Sequence, residues 1–309
     1  MHPNQIQRIS SQARDAFILH VQACRRRSAK NVLRIEPVVL RANRLFLMHT
    51  NYRESHVGKG REYHDKFVRG PYRSLIWDLE QAQLLEILAR FRIRQPTSIE
   101  LLDFACGTGR ILELFESHVD SAVGIDVSQS MLEVARGHLS KAELLHADLT
   151  REPVLANRRF GLITAFRFFP NAEPTLRNDV MRELVGLLAN DGILILNNHL
   201  RCNGTKMRLR RAIRRLTGKG TDRDLHCMSD ADVEELADRF GLSILEVHTL
   251  AVVPVLKEKR PLIPRWLLSS IERWASDRPL AAHFANTRIY VLASAESFRT
   301  ARDEHREVR

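Results

Sequence analysis

Apolar residues in this chain gather in short runs, separated by polar, glycine-bearing turns. Ile99 to Phe104, Ser121-Ala-Val-Gly-Ile-Asp126, Ala142-Glu-Leu-Leu-His-Ala-Asp148, Phe160-Gly-Leu-Ile-Thr-Ala-Phe166 and Asn190-Asp-Gly-Ile-Leu-Ile-Leu-Asn197 are five such runs. Short apolar runs bounded by turns predict buried strands. Helical spacing fills the intervals: a helix from about Arg110, one opened at Ser128 as N-cap, and one from Glu173 to Leu188. Alternating strands and helices predict a parallel sheet. Upstream, Leu75, Ile76, Leu79, Ala82 and Leu85 recur at three- and four-residue intervals, predicting a helix from Ser74 to about Phe91, with Pro96 closing the connection. Downstream, a helix over Asp230–Phe240 capped by Ser229, an alternating strand over Leu242–Leu250, a helix near Trp266–Ala275 and a strand over Thr287–Ala293 bring the strands to seven. Asp191-Gly192 is expected to turn the chain into the fifth strand.

Chemistry concentrates where the first strand ends, at Asp103-Phe-Ala-Cys-Gly-Thr-Gly109. Gly107 and Gly109 allow a tight turn and close approach of backbone to a ligand, and the helix that follows presents free N–H groups. A dinucleotide loop wants a third small residue, but Leu112 is bulky, and a carboxylate at Asp103 would repel a pyrophosphate. The same carboxylate suits a ligand carrying an ammonium and a sulfonium. Asp126 ends the second strand about twenty residues on, where a ribose-binding acid belongs in such folds.

Asp103 to Gly109 resembles the first motif of the class I S-adenosylmethionine-dependent methyltransferases, with Ala105 in place of the usual first glycine. The resemblance covers roughly residues 60–295. It implies an α/β, Rossmann-like, seven-stranded and mostly parallel sheet with helices on both faces, the seventh strand antiparallel beside the fifth. It further implies that S-adenosyl-L-methionine is the cofactor. Asp103 and the backbone of Phe104, Ala105, Cys106, Gly107 and Gly109 would hold its methionine portion, and Asp126 its ribose. Val127 and Met131 would lie against the adenine, Asp148 and the Leu149 backbone would meet its polar edge, and Phe166 would sit near the methyl group. By the same likeness, Tyr63, Tyr72 and Arg73 look like a segment that covers the cofactor, with Arg73 paired to the methionine carboxylate.

Charge divides the chain. Residues 1–60 hold eleven Lys/Arg against three Asp/Glu and residues 201–223 hold nine against one, so the rest of a chain of net +11 is mildly acidic. That places the basic character in appendages: an N-terminal extension over residues 1–57, helical or mobile, and a basic insertion at 199–228 after strand five, within a methyltransferase domain of 58–295 followed by a tail at 296–309. In the insertion, Leu209, Ala212, Ile213 and Leu216 share one face of a helix studded with arginine. Such a helix packs on a core, covers a substrate site, binds an acidic partner or lies on an anionic membrane surface. No apolar run reaches the ~18–20 residues of a transmembrane helix. The four cysteines form no C-x-x-C pair or secreted-style framework, which favours a reducing, cytoplasmic setting. His199, Cys202, His226 and Cys227 fit zinc-ligand spacing poorly, so no metal is expected.

The reaction these features imply is methyl transfer to an oxygen or nitrogen of a small-molecule acceptor. His199, beyond strand five, is the candidate base, with Tyr63, His64 and His226 as further options; Phe168 and Phe169 either line the acceptor pocket or pack beneath the following helix. The alternatives are an RNA methyltransferase using the basic segments, or a non-catalytic cofactor-binding scaffold. No Asp/Asn-Pro-Pro-Tyr-like tetrapeptide follows strand four, which carries Phe168-Phe-Pro-Asn171 instead, so nucleic acid is not the favoured partner.

Overall fold

The computed structural model describes residues 52–55, 71–95, 98–199, 201–217, 227–252, 264–276 and 278–294. The chain divides into two compact units, Met1–Thr50 and Asn51–Arg309, and every described residue lies in the second. Tyr63, His64 and His226, together with most of the N-terminal extension and the C-terminal tail, fall outside the described residues.

Seven strands form one sheet: β1 (Glu100–Phe104), β2 (Ser121–Asp126), β3 (Glu143–His146), β4 (Phe160–Ala165), β5 (Leu188–Asn198), β6 (Leu242–Leu250) and β7 (Thr287–Ser294). Their order is β3-β2-β1-β4-β5-β7-β6. The first five run parallel, and β7 is antiparallel to both β5 and β6. Strand order reverses between β1 and β4, so a crevice opens beyond their carboxyl ends, where open α/β sheets bind ligands. Buried side chains pack both faces of the sheet, as expected for parallel strands covered by helices on each side.

The helices are α1 (Tyr52–Ser55), α2 (Pro71–Arg94), α3 (Arg110–Phe115), α4 (Gln129–Arg136), α5 (Pro174–Leu187), α6 (Thr205–Thr217), α7 (Asp230–Arg239), α8 (Arg265–Ser276) and α9 (Pro279–Phe284). Helix α2 starts earlier and runs further than periodicity indicated. It buries Leu75, Ile76, Leu84, Ile87, Leu88 and Phe91 while Ala82 is exposed, so its apolar face is rotated from the expected one. Glu80 is fully buried among those residues. Asn190 to Gly192 do not form a turn: β5 continues through them with a register irregularity against β4, and a Cβ on Gly192 would meet the Phe160 carbonyl at 2.9 Å. Ser128 occupies the N-cap of α4 but its side chain caps nothing. Ser229 does cap α7, in a reciprocal box with Asp232.

Two further corrections concern the insertion after β5. Cys202 and Cys227 are joined by a disulfide. Their spacing, 25 residues apart with no C-x-x-C pair, gave no hint of the bond. Arg201, counted in the basic total of that insertion, is 2% exposed. It donates from Nε to Asp230, from a terminal nitrogen to the same carboxylate, and from the other to the Ala285 carbonyl at 2.7 Å. Tyr290 and Arg288 of β7 also reach Asp230, so one carboxylate ties the end of β5, α7, α9 and β7 together.

Candidate active site

The glycine loop owes its shape to backbone conformation. Ala105, Gly107 and Gly109 all have positive φ, at 54°, 57° and 80°. That explains why a glycine is usual where Ala105 stands, since an alanine held in this region costs about 1–2 kcal/mol. A Cβ on Gly107 would project into open space, whereas one on Gly109 would meet Leu139 at 2.9 Å. Leu112, too large for a dinucleotide loop, packs fully buried against strand β2 at Gly124, where an added Cβ would lie 2.5 Å from it. The missing small residue on the helix is thus made good by a glycine on the strand.

Register brings the acids together. Asp103 of β1 is flanked by Gly124 of β2 and Thr164 of β4. It is 1% exposed, and the Thr164 hydroxyl donates to its Oδ1 at 2.7 Å, while Oδ2 is buried without a hydrogen-bond partner among the described residues. Burial pushes the Asp103 carboxyl up to about 7, with Asp126 adding to the effect, against the pull of the Thr164 hydroxyl and the Arg110 charge. Arg110 opens α3 with its guanidinium stacked 4.3 Å over the Trp77 ring of α2. Asp126, half-buried at the tip of β2, accepts from Gly107 N–H and Ser128 N–H at 2.8 Å each, which locks the loop to the second strand. Burial raises its carboxyl above the ordinary range, with those two N–H groups opposing.

Asp148 is held by neighbours from α1 and from its own turn. Arg53 of α1 donates to its Oδ2 at 2.6 Å and to the Thr150 hydroxyl at 2.7 Å, while the Thr150 N–H and hydroxyl both serve Oδ1. Burial would raise this carboxyl, but Arg53 and Thr150 outweigh it and hold it below the usual range. Tyr52 donates its N–H to Glu173 and sets its ring edge-on to Phe168 at 5.0 Å, so α1 packs on the loop after β4. Phe168 and Phe169 are buried with Phe104 in that aromatic cluster; they pack rather than line an opening.

Met131, Leu149, Cys106 and Phe166 are buried, while Val127 is half-buried after β2. Arg73 lies half-buried in the first turn of α2 beside Tyr72, whose phenol is pushed up by burial and by nearby Glu272. His199 follows β5 half-buried, on the same edge of the sheet as the acids. At that edge a polar group unseen in the sequence joins β4 and β5 to α2. Arg167 (φ 62°) donates its N–H to the Asn197 side chain at 2.7 Å, and both Arg167 and Asn197 side chains donate to buried Glu80. Thr164 had one visible sign, the single hydroxyl in an apolar strand. Arg53, Glu80 and Arg167 had none, because their partners lie 87 to 117 residues away.

A sheet of this order, with a glycine loop after β1 and an acid at the tip of β2, has the class I S-adenosylmethionine-dependent methyltransferase fold. Residues 101–192 match the family described as a methyltransferase domain. Magnesium protoporphyrin IX methyltransferase from Synechocystis PCC 6803, solved with bound SAH, superposes with a TM-score of 0.52 at 13% identity, over 76% of this chain and 96% of that one. In sequence, a dTDP-3-amino-3,6-dideoxy-alpha-D-glucopyranose N,N-dimethyltransferase of Streptomyces fradiae is 29% identical over 109 residues, 35% of either chain. A dTDP-3-amino-3,4,6-trideoxy-alpha-D-glucopyranose N,N-dimethyltransferase of Streptomyces venezuelae is 38% identical over 68 residues, 22% of this chain and 29% of that one. The matches span about a third of the length of these curated relatives.

Proposed function

We propose that this protein is an S-adenosylmethionine-dependent methyltransferase acting on an oxygen or nitrogen of a small-molecule acceptor. The observation that carries the reading is Asp103 Oδ2, a buried carboxylate oxygen left without a partner beside the glycine loop. Burying such an atom is costly unless a ligand completes it, and a cationic amine or sulfonium does so. When bound, the cofactor supplies an activated methyl group, and the chain's part is alignment and exclusion of water.

Asp103 and the loop N–H groups hold the amino-acid end, and Asp126 retains lone pairs for two ribose hydroxyls beside its two backbone contacts. Asp148 has less to offer than its position suggests. Thr150 saturates Oδ1, and Oδ2 is shared by Arg53 at 2.6 Å and Arg151 at 3.4 Å, so an adenine amino group would meet Oδ2 by displacing the longer Arg151 contact. Val127, Met131 and Leu149 form the apolar walls, Phe166 borders the reacting carbon, and Arg73 pairs with the carboxylate of the cofactor. With the cofactor bound, His199 would take the proton that the acceptor loses when its lone pair forms the new bond to the methyl carbon and the carbon–sulfur bond breaks, its electron pair leaving on sulfur. The N,N-dimethyltransferase chemistry of the two curated relatives supports nitrogen as the acceptor atom.

Calorimetry should detect micromolar binding of S-adenosylmethionine, and Asp126→Ala should weaken it about tenfold or more, the loss expected for hydrogen bonds to a charged group. Unchanged affinity in the variant removes the ribose assignment. Incubation with labelled methyl donor and a host lysate should label a small molecule. Label in RNA would move the acceptor class, and cofactor binding without any label would leave a scaffold.

A further inference from the structure

Helix α6 does not pack its apolar stripe on the core. Among the described residues of α6 only Met207, in its first turn, is buried, whereas Leu209, Ile213 and Leu216 are 37%, 48% and 86% exposed. These three lie at i, i+4 and i+7, on one face of a helix with six Lys/Arg and no acid in its thirteen residues. The helix is amphipathic, and its apolar stripe is largely exposed.

The neighbouring helices repeat the pattern. On α8, Trp266 is 70% and Trp274 61% exposed, so two of the chain's three tryptophans face solvent. Phe284, at the end of α9, is exposed as well. These helices adjoin α6. Arg201, four residues before α6, donates to carbonyls at the end of α9, and Thr205 meets Asn286 just beyond it. The Arg208 guanidinium of α6 lies 5.5 Å over the Phe284 ring, and Arg278, at the start of α9, lies 5.2 Å over Trp274. The acid of α8, Glu272, is fully buried and accepts the Val252 N–H. Among the described residues of the three helices the exposed charges are all positive, with Arg265 paired to the exposed Asp78 of α2 at the margin.

We propose that α6, α8 and α9 form a docking face for a bilayer surface bearing anionic headgroups. Arginines meet the lipid phosphates, the tryptophans sit at headgroup depth, and Leu209, Ile213 and Leu216 enter the acyl boundary. The chemistry separates this occupant from two others. An RNA backbone would engage the arginines but would leave the aliphatic stripe in water, since single-stranded recognition relies on aromatic platforms and a basic groove. A second copy meeting the same face by two-fold symmetry would set arginines against arginines. The proposal does not depend on the proposed reaction.

The test is sedimentation of the full-length protein with phosphatidylcholine vesicles, with and without about one-third phosphatidylglycerol. Binding to the anionic vesicles should be about tenfold tighter than to neutral ones and should shift tryptophan emission to the blue. Leu216→Glu on α6 and Trp266→Ala on α8 replace exposed side chains and leave the fold intact, as thermal melting and cofactor affinity will check. Each should reduce partitioning several-fold, and both together should abolish the apolar component. Equal binding to both vesicle types overturns the proposal, as does binding that neither variant alters. A concentration-dependent dimer broken by these variants, without vesicle binding, assigns the face to a second copy instead, and retention on RNA without vesicle binding overturns it as well.

Discussion

The crevice beyond β1 and β2 and the clasp beyond β5 each bury an ionic side chain, and they treat it in opposite ways. Arg201 is enclosed with its donors spent on Asp230 and on carbonyls at the end of α9. Asp103 is enclosed just as fully, yet Oδ2 is left over. A buried charge whose hydrogen-bonding capacity is exhausted holds elements together; one with capacity to spare awaits something from outside. Burial alone separates neither case.

The largest effect should follow from opening the clasp. Arg201→Ala strands the Asp230 carboxylate with only Arg288 and Tyr290, and should cost about 3–5 kcal/mol in chemical denaturation. A loss below ~1 kcal/mol would mean that the network is ornamental. Replacing Cys202 and Cys227 by serine frees the loop closed across 25 residues and should cost about 3 kcal/mol, or a similar amount on reduction of the unaltered protein. Equal stability with and without reductant would show that the bond does not form in solution.

The crevice should respond with the opposite sign. Folding raises the Asp103 carboxyl from its ordinary value to about 7, so between about pH 4 and 7 the folded state holds a proton the unfolded chain has released. Stability of the unliganded protein should therefore fall as pH rises through that window. Asp103→Asn removes the titration and should be the more stable protein at pH 8 by about 1–2 kcal/mol, measured as a flat denaturation midpoint across the window. A slope identical in both proteins would assign it to other groups. The smallest change concerns strain: Ala105→Gly should stabilise by about 1 kcal/mol by relieving the positive φ. A destabilised Ala105→Gly variant would show that the methyl group packs usefully.

What was legible in the sequence follows the range of the interactions. Strands and their acid tips are local patterns, and the mostly parallel sheet with β7 antiparallel beside β5 came with the family likeness. Asp103, Asp126 and the glycine loop were visible because the turn and the carboxylates lie within one or two elements. Thr164 on Asp103, Arg53 on Asp148 and Glu80 under Arg167 join residues 61, 95 and 87 apart, and no periodicity encodes such pairings. The basic insertion misled for a related reason. Nine Lys/Arg within 201–223 look alike in sequence, and only the fold sets Arg201, at 2% exposure, apart from Arg208 and Arg211, which are exposed. The short helix α9 was missed altogether, because its six residues begin on Pro279 and carry no periodic stripe.

The account turns on whether the acidic crevice was built for a cation, and one titration asks that directly. S-adenosylmethionine is titrated calorimetrically into the unaltered protein and into Asp103→Asn at pH 6 and pH 8. Binding to the unaltered protein should tighten several-fold from pH 6 to pH 8 as Asp103 ionises, and the asparagine variant should bind about tenfold more weakly at pH 8, without that dependence. Equal affinities for both proteins at both pH values, or no binding at all, would contradict it.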